Sequence, residues 1–187
     1  MEHTRFRILR LALLSEIALL AVALFCVKYF RIDIQPFTDN VPRDFFIGII
    51  GSVPPLSFFF FVVSEKAAGI SFLKGIRRIV LRDIRNIFSR SRLIDLIIIS
   101  FAAGIAEELL FRGVLQIKFG IVVSSILFGL MHFISPVYMI IATLMGFYLG
   151  AFLFIFDNLM IPVQIHFLYD LGALVYLLIF VNNDDEN

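Results

Sequence analysis

The chain has 187 residues and is 60% apolar, with 23 Phe and no Trp, against about 45–50% apolar for a soluble domain. Its basic residues are too scattered for a nucleic-acid surface, the net charge is only +1, and the lone Cys26 excludes an internal disulfide and reads as an apolar filler. The apolar excess is gathered into runs long enough to cross lipid, so an all-α, polytopic transmembrane helical bundle of one compact domain is expected.

About six spans follow in chain order. The first runs from Ile8 to Phe30, behind Arg5, Arg7 and Arg10. Its apolar core is long and no small-x-small cleavage site follows, so it reads as an anchor rather than a signal peptide. A polar stretch with Pro36 and Pro42 leads to the second span, Phe45 to Ser64, which Pro54-Pro55 should interrupt. Between residues 65 and 92, Phe72, Leu73, Ile76, Ile79, Val80, Ile84, Ile87 and Phe88 recur every three or four positions. Lys74, Arg77, Arg78, Arg82 and Arg85 fill much of the remainder, as in a basic amphipathic helix lying at the membrane interface among lipid headgroups. The third span is Leu93 to Gln116, the fourth Phe119 to Ile134, the fifth Val137 to Phe156 and the sixth Leu159 to Val181. The acidic tail 182–187 is expected to be mobile. The chain thus divides into 1–92, two spans plus the basic helix, then a four-helix core over 93–181, then the tail.

Charge bias orients the bundle. Three Lys or Arg precede the first span and eight lie in 65–92, against Lys28, Arg31, Arg43 and Lys118 on the other side. Eleven against four places both termini and the basic loop in the cytoplasm.

Ions inside the apolar runs are the chemical signal. A charged side chain at mid-bilayer costs at least ~2.5–3.5 kcal/mol and usually faces a protein interior or water. Glu107, Glu108 and Arg112 sit in the third span, His132 ends the fourth, and His166 and Asp170 share a face of the sixth. Glu108 and Arg112, four apart, can pair, while Glu107 points about 100° away. Glu107 is therefore the free carboxyl, suited to a general base. His166 and Asp170 are also four apart, so Asp170 can set the tautomer or charge of His166. Glu16, alone in the first span, reads as a structural ion that pairs across helices or faces a polar gap. His3 reads as a surface residue. Glutamate, histidine and water are parts of a hydrolytic site. Glu107, His132 and His166 could equally form a zinc shell with one open position, although no His-Glu-x-x-His is present. The span boundaries spread these three over roughly 15 Å of depth, so one site requires tilt or shifted ends.

Glu107-Glu108-x-x-x-Arg112, Phe128-x-x-x-His132 and His166-x-x-x-Asp170, in this order on separate spans, resemble the CAAX-processing and bacteriocin-processing (CPBP, Abi) family of intramembrane proteases. The resemblance covers roughly 93–181. It implies an endopeptidase that cuts a membrane-associated or lipidated protein or peptide. Glu107 and His132 would activate water, and His166 with Asp170 would hold the oxyanion. Glu108, Arg112 and Phe128 would support them. It also suggests a site open to the cytoplasmic side. Members are discussed with and without metal; the metal-free reading is the expectation and zinc the alternative. The eukaryotic branch removes the last three residues of prenylated CAAX proteins, and a chain this short looks more like a member from a prokaryotic plasma membrane. The third motif often ends in Asn, and an ionised Asp170 cannot donate. Either Asp170 is protonated or it supports a charged His166 that donates; the i,i+4 spacing favours the second. Two other classes use similar parts: an ion-coupled transporter, which the absence of repeats and paired broken helices argues against, and a non-proteolytic immunity or binding protein.

Overall fold

The computed structural model describes residues 2–34 and 40–181. Every regular element among them is helical: α1 Glu2–Phe30, α2 Val41–Val63, α3 Glu65–Ala68, α4 Ser71–Arg78, α5 Arg85–Phe88, α6 Leu93–Leu110, α7 Ile117–Met131, α8 Pro136–Phe156 and α9 Met160–Phe180. Two wide π-helical turns, Ile79–Ile84 and Phe111–Gln116, join α4 to α5 and α6 to α7. The expectations placed on Pro36 and on the tail 182–187 lie outside the described residues, as does that on the side chain of His3.

Among the described residues five helices are long and apolar enough to cross a membrane: Arg5–Phe30, Val41–Val63, Leu93–Met131, Pro136–Phe156 and Met160–Phe180. The third carries both the third and the fourth expected spans, folded back at Gly120. That residue has φ 82° and ψ 165°, a region open essentially to glycine alone. Beyond the turn the Ser124 hydroxyl donates to the Phe111 carbonyl at 2.6 Å, thirteen residues back. An unbroken helix would hold the two residues about 20 Å apart. From Ile121 to Met131 the return arm is about 16 Å long, roughly half of a ~30 Å hydrocarbon layer. A Cβ at Gly120 would meet nothing within 4 Å. Gly120→Ala is therefore expected to cost only backbone strain, about 1–3 kcal/mol, read as a lower unfolding midpoint in detergent with the fold retained.

The proline pair does not interrupt α2, which runs through it. Pro55 lacks the N–H that would bond the Gly51 carbonyl, and in an apolar setting that carbonyl needs another donor. The Tyr148 hydroxyl of α8 supplies it at 2.7 Å. At the same end of the bundle Asn158, between α8 and α9, donates to Asp44 at 2.6 Å.

The basic segment buries its apolar face on its own domain. Leu73, Ile76 and Val80 pack with Phe59, Val62 and Val63 of α2 and with Ala173 and Leu177 of α9. Ile70, Phe72 and Ile87 stay exposed. Arg85 donates to the Val181 carbonyl at 2.8 Å, so the end of α9 lies beside the basic segment. Arg5 makes a bidentate pair with Asp95 at 2.5 and 2.6 Å, which brings the start of α1 to the start of α6. Both ends of the described chain and the basic segment therefore share one side.

Candidate active site

α6 and α9 approach closely where the embedded ions lie. A Cβ on Gly104 would stand 3.1 Å from the Val163 carbonyl, so a larger residue there would push the helices apart. One turn further along α6, Glu108 reaches across to α9. Its Oε1 accepts from Arg112 Nη1 at 2.8 Å and from His166 Nδ1 at 2.7 Å. Glu108 is 0% exposed and Arg112 1%. Arg112 stands in the π-helical turn, a local widening common at functional sites, and also donates to the Gly146 carbonyl of α8 at 3.1 Å. The expected Glu108–Arg112 pair is present, and the bond from His166 to the same oxygen adds a link that i,i+4 spacing within α6 could not reveal.

Glu107 faces away from that pair. Its carboxylate lies 3.4 Å from His132 Nε2, and its Oε2 makes no hydrogen bond. His132 caps the end of α7, and its Nδ1 lies 2.8 Å from the Phe128 carbonyl. A carbonyl only accepts, so Nδ1 carries a hydrogen and Nε2 gains one only as the imidazolium. Glu107 and His132 Nε2 are thus arranged to share a proton or hold a water.

Phe128 touches the groups at the end of α7, on α9 and in the π-helical turn. It is buried, with the Arg112 guanidinium 4.4 Å from its ring centre, the His132 ring 4.4 Å away and the His166 ring 6.1 Å away. His166 Nε2 points to Asp170 at 3.4 Å, too long for a strong hydrogen bond. The side chains of His132 and Asp170 are 29% and 30% exposed, against 11% for Glu107 and 6% for His166. The cluster is sealed at Glu108 and Arg112 and open at its His132–Asp170 edge.

All seven motif residues are therefore brought together. The expected 15 Å spread in depth disappears because α7 stops inside the bundle, beside Glu107, instead of reaching the far face. Glu107 lies about 21 Å along α6 from Leu93, and His166 about 21 Å along α9 from Phe180. Two further groups stand near. Glu16 of α1 is in electrostatic reach of Glu107, His132, His166 and Asp170, and Tyr138 of α8 is in reach of Asp170 and Glu107. The embedded charge of Glu16 is visible in the sequence, but its level against the other helices is not. Tyr138 gives no sequence signal beyond lying in an apolar run.

This geometry coincides with the region matched to known proteins. Residues 89–172 match the type II CAAX prenyl endopeptidase Rce1-like family. The Rce1-like segment holds all three motifs and ends two residues after Asp170, so the resemblance read from the motifs is met by an independent match. The chain is also 35% identical over 89 residues to the uncharacterized protein YpbD of Bacillus subtilis (strain 168), a match spanning 46% of this chain and 47% of that protein. The chain spans about half the length of this curated relative. No solved structure matches the chain. With five helices able to cross a membrane and an Rce1-like segment within them, the chain is an integral membrane protein.

Proposed function

We propose that the chain is an intramembrane endopeptidase acting on a membrane-associated or lipidated peptide. The observation that carries this reading is the meeting of Glu107, His132 and His166 around Phe128. A water held between Glu107 and His132 Nε2 gives up a proton to that pair as its oxygen attacks the scissile carbonyl carbon. The carbonyl oxygen becomes an oxyanion and accepts a hydrogen bond from His166 Nε2–H. Glu108 fixes the other ring nitrogen of His166, and Asp170 favours the imidazolium that can donate at both. When the tetrahedral centre collapses, the C–N bond breaks and the leaving amine takes its proton from the Glu107–His132 pair. In this role Asp170 acts as an acceptor, which removes the need for a protonated carboxyl. The exposed Ile70, Phe72 and Ile87, with the basic residues around them, would meet headgroups at a cytoplasmic surface.

We further propose that no metal is needed. His166 Nδ1 is bonded to Glu108, and the remaining Nε2 faces Asp170 at 3.4 Å. Among the described residues no three His, Cys, Asp or Glu side chains group as metal ligands do. The step above is complete with Glu107, His132 and water, so none is routed through a metal.

The test is cleavage by the purified chain in lipid nanodiscs, with CAAX peptides carrying or lacking a prenyl group, in oxygen-18-labelled water. The expected result is one heavy oxygen in the new carboxylate and a rate unchanged by a strong chelator. No cleavage of either peptide would overturn the protease reading. Cleavage lost to the chelator and restored by zinc would overturn the metal-free one.

A further inference from the structure

Glu16 lies in α1, outside the Rce1-like segment and outside every motif. Two contacts fix its level. At one end Arg5 pairs with Asp95 of α6. Further on, Leu19, Leu20 and Ala23 pack with Leu109, Leu110 and Phe111. The two helices therefore run parallel from a common start. Glu16 stands eleven residues beyond Arg5 and Glu107 twelve beyond Asp95, rises of about 16.5 and 18 Å. Glu16 is accordingly level with Glu107. It also shares the inward face of α1, since it precedes Leu19, Leu20 and Ala23 by three, four and seven positions.

Its Oε2 is sealed from solvent and has no hydrogen-bond partner. Glu107 and Asp170 are in electrostatic reach and repel it, and His166 and His132 are in reach and attract it. Arg112 is committed to Glu108 and to the Gly146 carbonyl, and Arg5 to Asp95. The interior thus gathers four carboxyls, Glu16, Glu107, Glu108 and Asp170, against one arginine and two imidazoles. A carboxyl left without a hydrogen-bond partner in such a setting is a place for a donor, and a cationic donor best offsets the surplus of carboxyls around it.

We propose that Glu16 is a specificity-determining residue that receives a cationic group of the substrate, a lysine or arginine side chain close to the scissile bond. This rests on the protease reading for the identity of the ligand, but the placement of Glu16 does not. The carboxylate enters from α1, on the flank of α6 that also carries Glu107, so a bound cation would lie beside the attacking water and set the register of the peptide.

The test uses the full chain in nanodiscs and a panel of acylated fluorescent peptides, with lysine, norleucine or glutamate moved through each position. Binding is measured by anisotropy on the Glu107→Gln background, and cleavage on the otherwise unaltered chain. One lysine position is expected to bind roughly tenfold or more tighter than norleucine. Glu16→Gln should erase that preference and leave the norleucine peptide unchanged, and Glu16→Lys should turn it towards glutamate. The same lysine position should lower KM in cleavage with little change in kcat. Equal binding of lysine and norleucine peptides, no binding of either, or equal losses on Glu16→Gln would overturn the proposal. If the lysine preference and its loss are seen without any cleavage, the protease reading fails and the cation subsite stands. Cleavage without a lysine preference is the reverse.

Discussion

Glu107→Gln is expected to lower turnover by roughly 100- to 10,000-fold, the usual contribution of a general base, while the protein stays folded. The replacement keeps the shape of the side chain, removes its charge and basicity, and turns one oxygen into an NH2 donor. Nothing structural depends on that charge. Glu107 Oε2 makes no hydrogen bond, and its nearest ionisable contact is His132 at 3.4 Å. The buried ion pair of α6 belongs to the next residue. Removing an unbonded buried carboxylate should therefore leave the unfolding midpoint unchanged or raise it. The experiment measures cleavage rate and unfolding midpoint on one preparation. A midpoint that falls as far as that of an Arg112 variant would show that Glu107 is a structural ion.

The largest loss of stability should come from Arg112→Ala. Arg112 is 1% exposed, and its guanidinium bonds Glu108 and the Gly146 carbonyl while lying over Phe128. Truncation leaves the Glu108 carboxylate buried with His166 as its remaining partner, and breaking a buried pair from one side costs about 3–5 kcal/mol. That is a large share of a typical stability of ~5–15 kcal/mol. Folded yield should collapse, and any surviving protein should be inactive because the Glu108 carboxylate that anchors His166 is no longer held by Arg112. Arg112→Lys keeps the charge without the planar fork that serves two acceptors, so it should recover only part of the yield. Size-exclusion profiles and unfolding midpoints of the two variants give the comparison. Normal yield for Arg112→Ala would remove the ion pair from its place at the centre of the fold.

The motif residues are legible in sequence because each is an ion or imidazole in a run that should contain none, and helical spacing separates Glu107 from the Glu108–Arg112 pair. The helical bundle follows from the apolar runs in the same way. What periodicity cannot carry is the relation between helices. The bond from His166 to Glu108 spans 58 positions and depends on the close approach at Gly104. The depth of His132 depends on a fold-back at Gly120 that looks like any other glycine in an apolar segment. Pro54-Pro55 reads as a break because the rescuing donor, Tyr148, lies 97 positions from Gly51. Glu16 can be placed only once Arg5 is seen to meet Asp95, since a lone carboxylate in a span has no register of its own.

The short return arm has a consequence for hydration. A helix leaves its last four carbonyls without internal partners, and here that end lies level with Glu107, about 21 Å along α6. The Phe128, Gly129 and Leu130 carbonyls accept from His132 and Phe133, and the His132 carbonyl from Ile134, but the Met131 carbonyl takes no such bond among the described residues, and Met131, Phe133 and Ile134 are exposed. Polar backbone cannot face hydrocarbon unsatisfied, so the end of α7 calls for water at a depth where lipid would otherwise exclude it. Amide hydrogen exchange should therefore be faster at residues 133 and 134, whose short-range backbone bonds lie at an exposed helix end, than along the flanking stretches of α6 and α9. In this fold the helix that ends early delivers the imidazole and opens the route for the solvent molecule it would act upon.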